Sequence, residues 1–240
     1  MFLKKPFFFL LIFVYSFNAK AQSVDEVISN YITFTGGEKQ WKTIHTIVTS
    51  GIYNYGGIEF PFTAYSKAPD LYKFVVPFNG KYYAQAFTGK QGWKIDAFKN
   101  ETKKTLLTGK AARAMANEAD VELESPFINY KEKSHQAFLE GKDTVNAIPC
   151  FRIKFIRSNG EIETYFLDST NFSLIKKRAI SKNAEMENVL LNTFYSDYNE
   201  VNGVKIPYKS ISKTDDGQTI LTITVKKIEI DVPIPSAEFE

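Results

Sequence analysis

The 240 residues carry 30 basic and 27 acidic side chains, a formal net charge of +3, but Lys4, Lys5 and Lys20 fall in the first 21 residues and the remainder balances at 27 of each sign. Such a balance argues against nucleic acid as a partner, because nucleic-acid binding depends on clustered positive charge. The only cysteine is Cys150, which excludes an internal disulfide, so the fold must rest on its core, which the 219 residues after position 21 can build as one domain.

Lys4 and Lys5 precede an apolar run from Phe7 to Phe17, and the stretch closes on Ala19-Lys20-Ala21. This is the pattern of a cleaved secretory signal peptide over residues 1–21. The run is too short to span a bilayer, and no later stretch reaches the roughly 18 to 20 apolar residues a spanning helix needs. Gln22 and Ser23 follow the cut, where a lipid-anchored protein would carry a cysteine. The expectation is an exported, soluble periplasmic protein with one domain over residues 22–240.

In residues 23–35, Val24, Val27, Ile28, Tyr31 and Ile32 recur at the spacing of one helical face. Ser23 is a good N-cap, Glu26 completes a capping-box pattern, and Gly36-Gly37 supplies the stop. From Thr43 onward, turn signals arrive at near-regular intervals: Gly56-Gly57, Pro69-Asp70, Asn79-Gly80 and Gly89 to Gly92. After an interruption they resume at Asn146, Asn159-Gly160, Asp168 to Asn171, Asn183 to Asn188, Asn202-Gly203 and Asp216-Gly217. Runs rich in Val, Ile, Phe, Tyr and Thr lie between them, which predicts an antiparallel meander of about eleven or twelve strands.

The interruption, residues 108–124, places Ala111, Ala112, Met115, Ala119 and Leu123 near helical spacing before Ser125-Pro126. It reads as a helix with a weak apolar face, either a plain connection or a movable lid carried by Ala112, Met115 and Ala119. Along the strands, Phe151, Ile153 and Phe155 share one face, and Leu221 and Ile223 share another with Val225. At Ile228 and Ile230 the apolar phase moves from odd to even positions, the signature of a β-bulge. The early strands, with Ile58, Phe60, Phe62 and Ala64, then Tyr72, Phe74 and Val76, are greasier on one face than a solvated sheet requires. Two helices cannot cover so many strands, and a twisted sheet of this size curls. The predicted fold is therefore mainly β with α: a large antiparallel sheet curled into an incomplete, about 11-stranded barrel covered by helices.

Catalytic patterns are sparse. The only histidines are His45 and His135, both read as strand residues, and no HxH or HxxxH spacing suggests a metal. There is no GxSxG elbow, phosphate loop or dinucleotide fingerprint. Cys150 sits mid-strand beside Pro149 and Phe151 and reads as a packing residue. The acidic run Glu118, Asp120, Glu122 and Glu124 lacks a calcium-loop pattern and reads as a solvated face. Trp41 and Trp93 suit either core or the lining of an apolar site. No catalytic residue, cofactor or metal is expected.

The order of the motifs resembles the outer-membrane lipoprotein-sorting family of LolA- and LolB-like proteins. It consists of a leading helix into TGGEKQW and IHTIVTSG, then GKQGW, IPCFRIKF, GEIETYFLDSTNFSLIKK, YNEVNGVKIPYKSI and a closing IDVPIPSAEFE. The resemblance implies an unclosed barrel wrapped over helices, with an apolar hollow for acyl chains of lipids or lipoproteins, and a part in outer-membrane lipoprotein or lipid trafficking with membrane-bound envelope proteins as partners. The carrier branch is associated with an arginine in an early strand, whereas the first arginine here is Arg113. The expected lining is Phe60, Phe62, Phe74, Trp93, Phe151, Ile153, Phe155, Leu221 and Ile223. Two alternatives stay open: an envelope interaction module whose barrel is filled by its own helices, and a hydrolase using His45 or His135 as base.

Overall fold

A computed structural model describes residues 22–122, 125–181 and 189–240, without the side chains of 120–122. The expected signal peptide over 1–21, the turn at Asn183 to Asn188, Leu123 and the end of the acidic run lie outside the described residues.

The first helix, α1 (Val24–Phe34), starts where predicted: Ser23 Oγ accepts the Glu26 N–H at 3.1 Å, and Val27, Ile28 and Tyr31 are buried. It ends on the Gly37 N–H, which donates to the Ile32 carbonyl at 2.8 Å. A single further turn, α2 (Glu38–Trp41), buries Trp41.

Thirteen strands follow. They are β1 (Thr46–Tyr55), β2 (Ile58–Lys67), β3 (Leu71–Phe78), β4 (Lys81–Thr88), β5 (Gly92–Asp96), β6 (Glu101–Leu106), β7 (Gln136–Val145), β8 (Ile148–Ile156), β9 (Ile162–Asp168), β10 (Leu174–Ile180), β11 (Leu190–Val201), β12 (Val204–Lys213) and β13 (Thr219–Ile230). The helix α3 (Gly109–Glu122) interrupts them after β6. The count exceeds the expected eleven or twelve because β5 and β6 are short and every residue of β6, ETKKTL, is exposed, so no alternation marks it.

All thirteen form one antiparallel sheet in the order β6-β5-β4-β3-β2-β1-β13-β12-β11-β10-β9-β8-β7. The first and last strands pair in its middle, and its two open edges, β6 and β7, are consecutive in the chain. The barrel is thus unclosed, and the connection between its edges is the one that carries α3. The phase change in β13 is a bulge: Ser50 faces Lys227, while Gly51 faces Val225, leaving Lys226 as the extra residue. Asn202 and Gly203 both have positive φ, 48° and 78°, between the paired Val201 and Val204, a two-residue hairpin. Pro207 lies in the part of β12 that precedes its pairing with β13, which begins at Lys209, so its missing N–H falls outside that ladder.

On the convex side, residues 231–240 run back over the sheet. Lys67 Nζ donates to the Ile234 carbonyl at 2.8 Å, Lys73 Nζ to the Glu238 carbonyl at 2.9 Å, and the Trp93 indole N–H to the Phe239 carbonyl at 2.8 Å. Phe239 is fully buried by this strap.

Candidate functional site

Register fixes which side chains face the concavity. In β1 the inward set is Ile47, Thr49, Gly51, Tyr53 and Tyr55, because Ile47 and Tyr53 pack with the helices, as do Phe60, the partner of Tyr53, and Ile228, the partner of Thr49. Following partners across the sheet yields two adjacent inward rungs. One reads Phe60–Tyr53–Ile223–Ser210–Tyr195, and the next reads Ile58–Tyr55–Leu221–Ser212–Thr193–Lys177–Tyr165–Ile153.

The helices fill the two ends of the concavity. On one side, Val27, Ile28 and Tyr31 of α1, joined by Phe127 and Tyr130, pack on Phe151, Ile153, Phe155, Tyr165, Leu167 and Leu174. Phe127 stands edge-on to Tyr31, Phe155 and Tyr165, with centroids 4.8–5.5 Å apart. On the other side, Met115 and Ala119 of α3 lie against Phe62, Ala64, Tyr72, Val76 and Phe87. The small face of α3 lets it come close: a Cβ added at Gly92 would sit 3.3 Å from the Met115 Cβ.

Between the two filled ends, Tyr53, Tyr55, Phe60, Leu221, Ile223, Ser210, Thr193, Tyr195 and Lys177 are only half-buried. This partly covered stretch of the concave face forms a trough, apolar on β1, β2 and β13 and hydroxyl-bearing on β11 and β12. At its apolar end the rings form a file, Tyr53 5.5 Å from Phe74 and Phe74 5.5 Å from Phe62. It continues to an exposed aromatic rim where Phe60 packs on Phe78 at 5.1 Å. Burial, with the Tyr55 phenol as a lesser cause, pushes the Tyr53 phenol up to about 12. Burial likewise raises Tyr83, whose hydroxyl donates to Gln85 Oε1 at 2.7 Å. These phenols stay neutral at physiological pH and act as apolar surface with a donor at the tip.

The helix α3 also reaches across the opening. Asn117, buried, donates to Glu161 Oε2 at 2.5 Å and accepts from Asn159 Nδ2 at 3.2 Å, both in the turn between β8 and β9. Its closest strand neighbours on the other side are β3, β4 and β5. One helix therefore ties the two halves together, through the polar contacts of Asn117 with Glu161 and Asn159 and through the apolar contacts of Met115 and Ala119. Close by, the buried Arg157 and Glu163 side chains pair at 3.1 Å and the Tyr165 hydroxyl donates to the same Glu163 oxygen at 2.7 Å. Burial foremost, then the Glu163 charge, raises Tyr165 well above its ordinary value.

The nine expected lining residues divide three ways. Phe60, Phe62, Phe74, Leu221 and Ile223 lie on the concave face, with Phe62 already buried beneath its neighbours. Phe151, Ile153 and Phe155 lie on the same face but are buried under α1 and its partners. Trp93 is a correction: it pairs with Ala86 on the convex face, in a cluster with Ala84 and Ile95 under the C-terminal strap. The phase error arose because GKQGW contains no alternation to orient it. Of the three lid residues, Met115 and Ala119 are buried against the sheet and Ala112 is half-buried.

His45 and His135 each precede a strand rather than lying in one. The His45 N–H donates to Asp231 Oδ1 at 2.7 Å, and His135 Nδ1 accepts the Ser158 N–H at 2.9 Å with its ring 5.3 Å from Phe155. Cys150 is fully buried among Val145 and Phe166, and burial raises its thiol. Among the described residues, no three His, Cys, Asp or Glu side chains are grouped to hold a metal ion, and no helix is long and apolar enough to cross a membrane. Sequence reading missed Tyr53, Tyr55, Ser210, Thr193, Tyr195 and Lys177. The alternation Ile52-Tyr53-Asn54-Tyr55 was the available signal for the first pair; nothing local marks the rest, because their face is set by the register of β10–β12.

The fold is LolA-like. No family model matches the chain, and no curated protein matches its sequence at a significant level. Solved structures do match. A DUF1329 family protein from Desulfovibrio piger is 16% identical, with a TM-score of 0.62 over 92% of this chain and 98% of that one. A LolA superfamily protein from Nitrosomonas europaea is 10% identical, with a TM-score of 0.58 over 92% and 98%. A provisionally named outer membrane lipoprotein-sorting protein domain from Vibrio parahaemolyticus is 10% identical, with a TM-score of 0.56 over 89% and 94%. At these identities the likeness is one of fold.

Proposed function

We propose that this protein is a non-catalytic carrier, exported on residues 1–21 to the periplasm, that shelters acyl chains of a lipid or lipoprotein in a single half-barrel domain over residues 22–240. The observation that supports this reading is the trough: Tyr53, Tyr55, Phe60, Leu221 and Ile223 form an apolar strip at the margin of the α3 cluster that the chain's own helices cover only in part. Burying methylenes there is worth about 0.8 kcal/mol each, so a chain of about 14 to 16 carbons offers roughly 10 kcal/mol before ordering costs. The trough is shallow beside Met115, and full shelter requires α3 to lift from Phe62 and Phe74, the lid role anticipated for Ala112, Met115 and Ala119. The outer-membrane lipoprotein-sorting domain among the structural neighbours makes lipid or lipoprotein trafficking the natural setting.

Native mass spectrometry of protein taken from its own periplasm tests this. A carrier arrives with added mass that organic solvent removes and that exogenous lipid restores. A chain that arrives bare and takes up no lipid is not a carrier. The α1-filled half, where Phe151, Ile153 and Phe155 have no room for a guest, favours a second reading as an envelope interaction module. That reading predicts a co-purifying protein in place of lipid.

A further inference from the structure

Resting on the carrier reading, we infer that the trough takes an anionic amphiphile, its acyl chain on the Tyr53, Phe60, Leu221 and Ile223 end and its phosphate headgroup on Lys177. The register carries the argument. Lys177 pairs with Tyr165 on β9 and Thr193 on β11, both inward, so its side chain belongs to the concave face. It is the only charged residue on either rung of the trough.

Its neighbours on β10 are engaged on the convex face. Arg178 Nη2 lies 2.7 Å from Asp215 Oδ2, and Lys176 Nζ stands 3.9 Å above the Phe166 ring. Lys177 has no carboxylate partner among the described residues and is half-buried. A cation at the wall of an apolar trough, left without an anion of its own, is complementary to a ligand that brings one.

The hydroxyls beside it suit a phosphate oxygen. Thr193 and Ser212 are hydrogen-bonded to each other at 2.8 Å, which leaves one hydroxyl hydrogen of the pair to turn outward. Ser210 follows on the next rung. From Lys177 to Tyr55 the rung crosses four strand spacings, about 19 Å, so headgroup and tail find chemically different surfaces along one line. Lysine binds phosphate as a point charge and needs no fixed fork.

The test is titration of the purified full chain, below micellar concentration, with hexadecyl phosphate, hexadecanol and inorganic phosphate. The expected result is binding of hexadecyl phosphate about tenfold tighter than hexadecanol, the value of one charge-assisted contact, with inorganic phosphate alone not competing. In K177Q the gap closes and in K177R it persists, both variants keeping the native thermal transition. Equal affinity for the two amphiphiles in the unaltered chain, or a gap that survives in K177Q, overturns the anionic-headgroup inference and leaves the carrier reading standing. Effective competition by inorganic phosphate would replace the amphiphile with a small-anion site. Failure of both amphiphiles to bind removes the carrier reading together with this one.

Discussion

Tyr31 and Tyr53 show how single residues couple the concavity to solution conditions. Burial raises both phenols to about 12 from an ordinary value of 10.0. The native state therefore holds these protons more tightly than the unfolded chain. Stability should be independent of these groups below pH 10 and fall as pH rises through 12. For buried Tyr31 the full loss amounts to about 3 kcal/mol. Urea midpoints measured from pH 9 to 12, with tyrosinate absorbance followed in parallel, check this; late-titrating phenols and a falling midpoint should coincide, and a flat midpoint would contradict it. Gly51 belongs to the same scale. A Cβ there would meet the Thr224 carbonyl oxygen at 2.2 Å and the Phe62 ring at 3.0 Å, so the position that allows the β13 bulge to close on β1 admits no side chain.

Of the two long helices, α3 has the weaker apolar hold. Its apolar face is largely alanine, which buries little area, and its polar hold on the far half of the barrel is Asn117 with Glu161 and Asn159. Asn117→Ala removes both hydrogen bonds and leaves the partners to solvent at the turn, a cost of about 1–2 kcal/mol. The loss should be local: amide exchange should quicken in α3 while the amides of β8 and β9 keep their protection. If α3 is the lid, the same variant should exchange bound acyl chain faster. By contrast α1 has its cap, a predicted stripe and a dense aromatic partner in Phe127, and it was found where its periodicity put it.

At the scale of the whole molecule, loading and closure are opposed states of one half-barrel, and they can be separated covalently. The Met115 Cβ lies 3.3 Å from where a Cβ at Gly92 would stand, close to the spacing a disulfide needs. The native chain offers only the buried Cys150 as a competing thiol. The double variant G92C/M115C, oxidised, should pin α3 to β5 and lose uptake of lipid; reduction should restore it. Uptake that is unchanged by oxidation would show that the trough loads with α3 in place.

The meander, its hairpin turns, the leading helix, the bulge in β13 and the surplus of inward aromatic surface were all readable in the chain, because each rests on local periodicity or on a turn residue whose backbone preference is intrinsic. Register could not be read locally, since a one-residue slip reverses a strand's faces. Only the assembled sheet could put Trp93 outside beneath the strap, seat α1 on Phe151, Ile153 and Phe155, and bring Lys177 into line with Thr193, Ser212, Leu221 and Tyr55. Those neighbours are far apart in sequence, and their meeting depends on β1 and β13 closing the centre of the sheet.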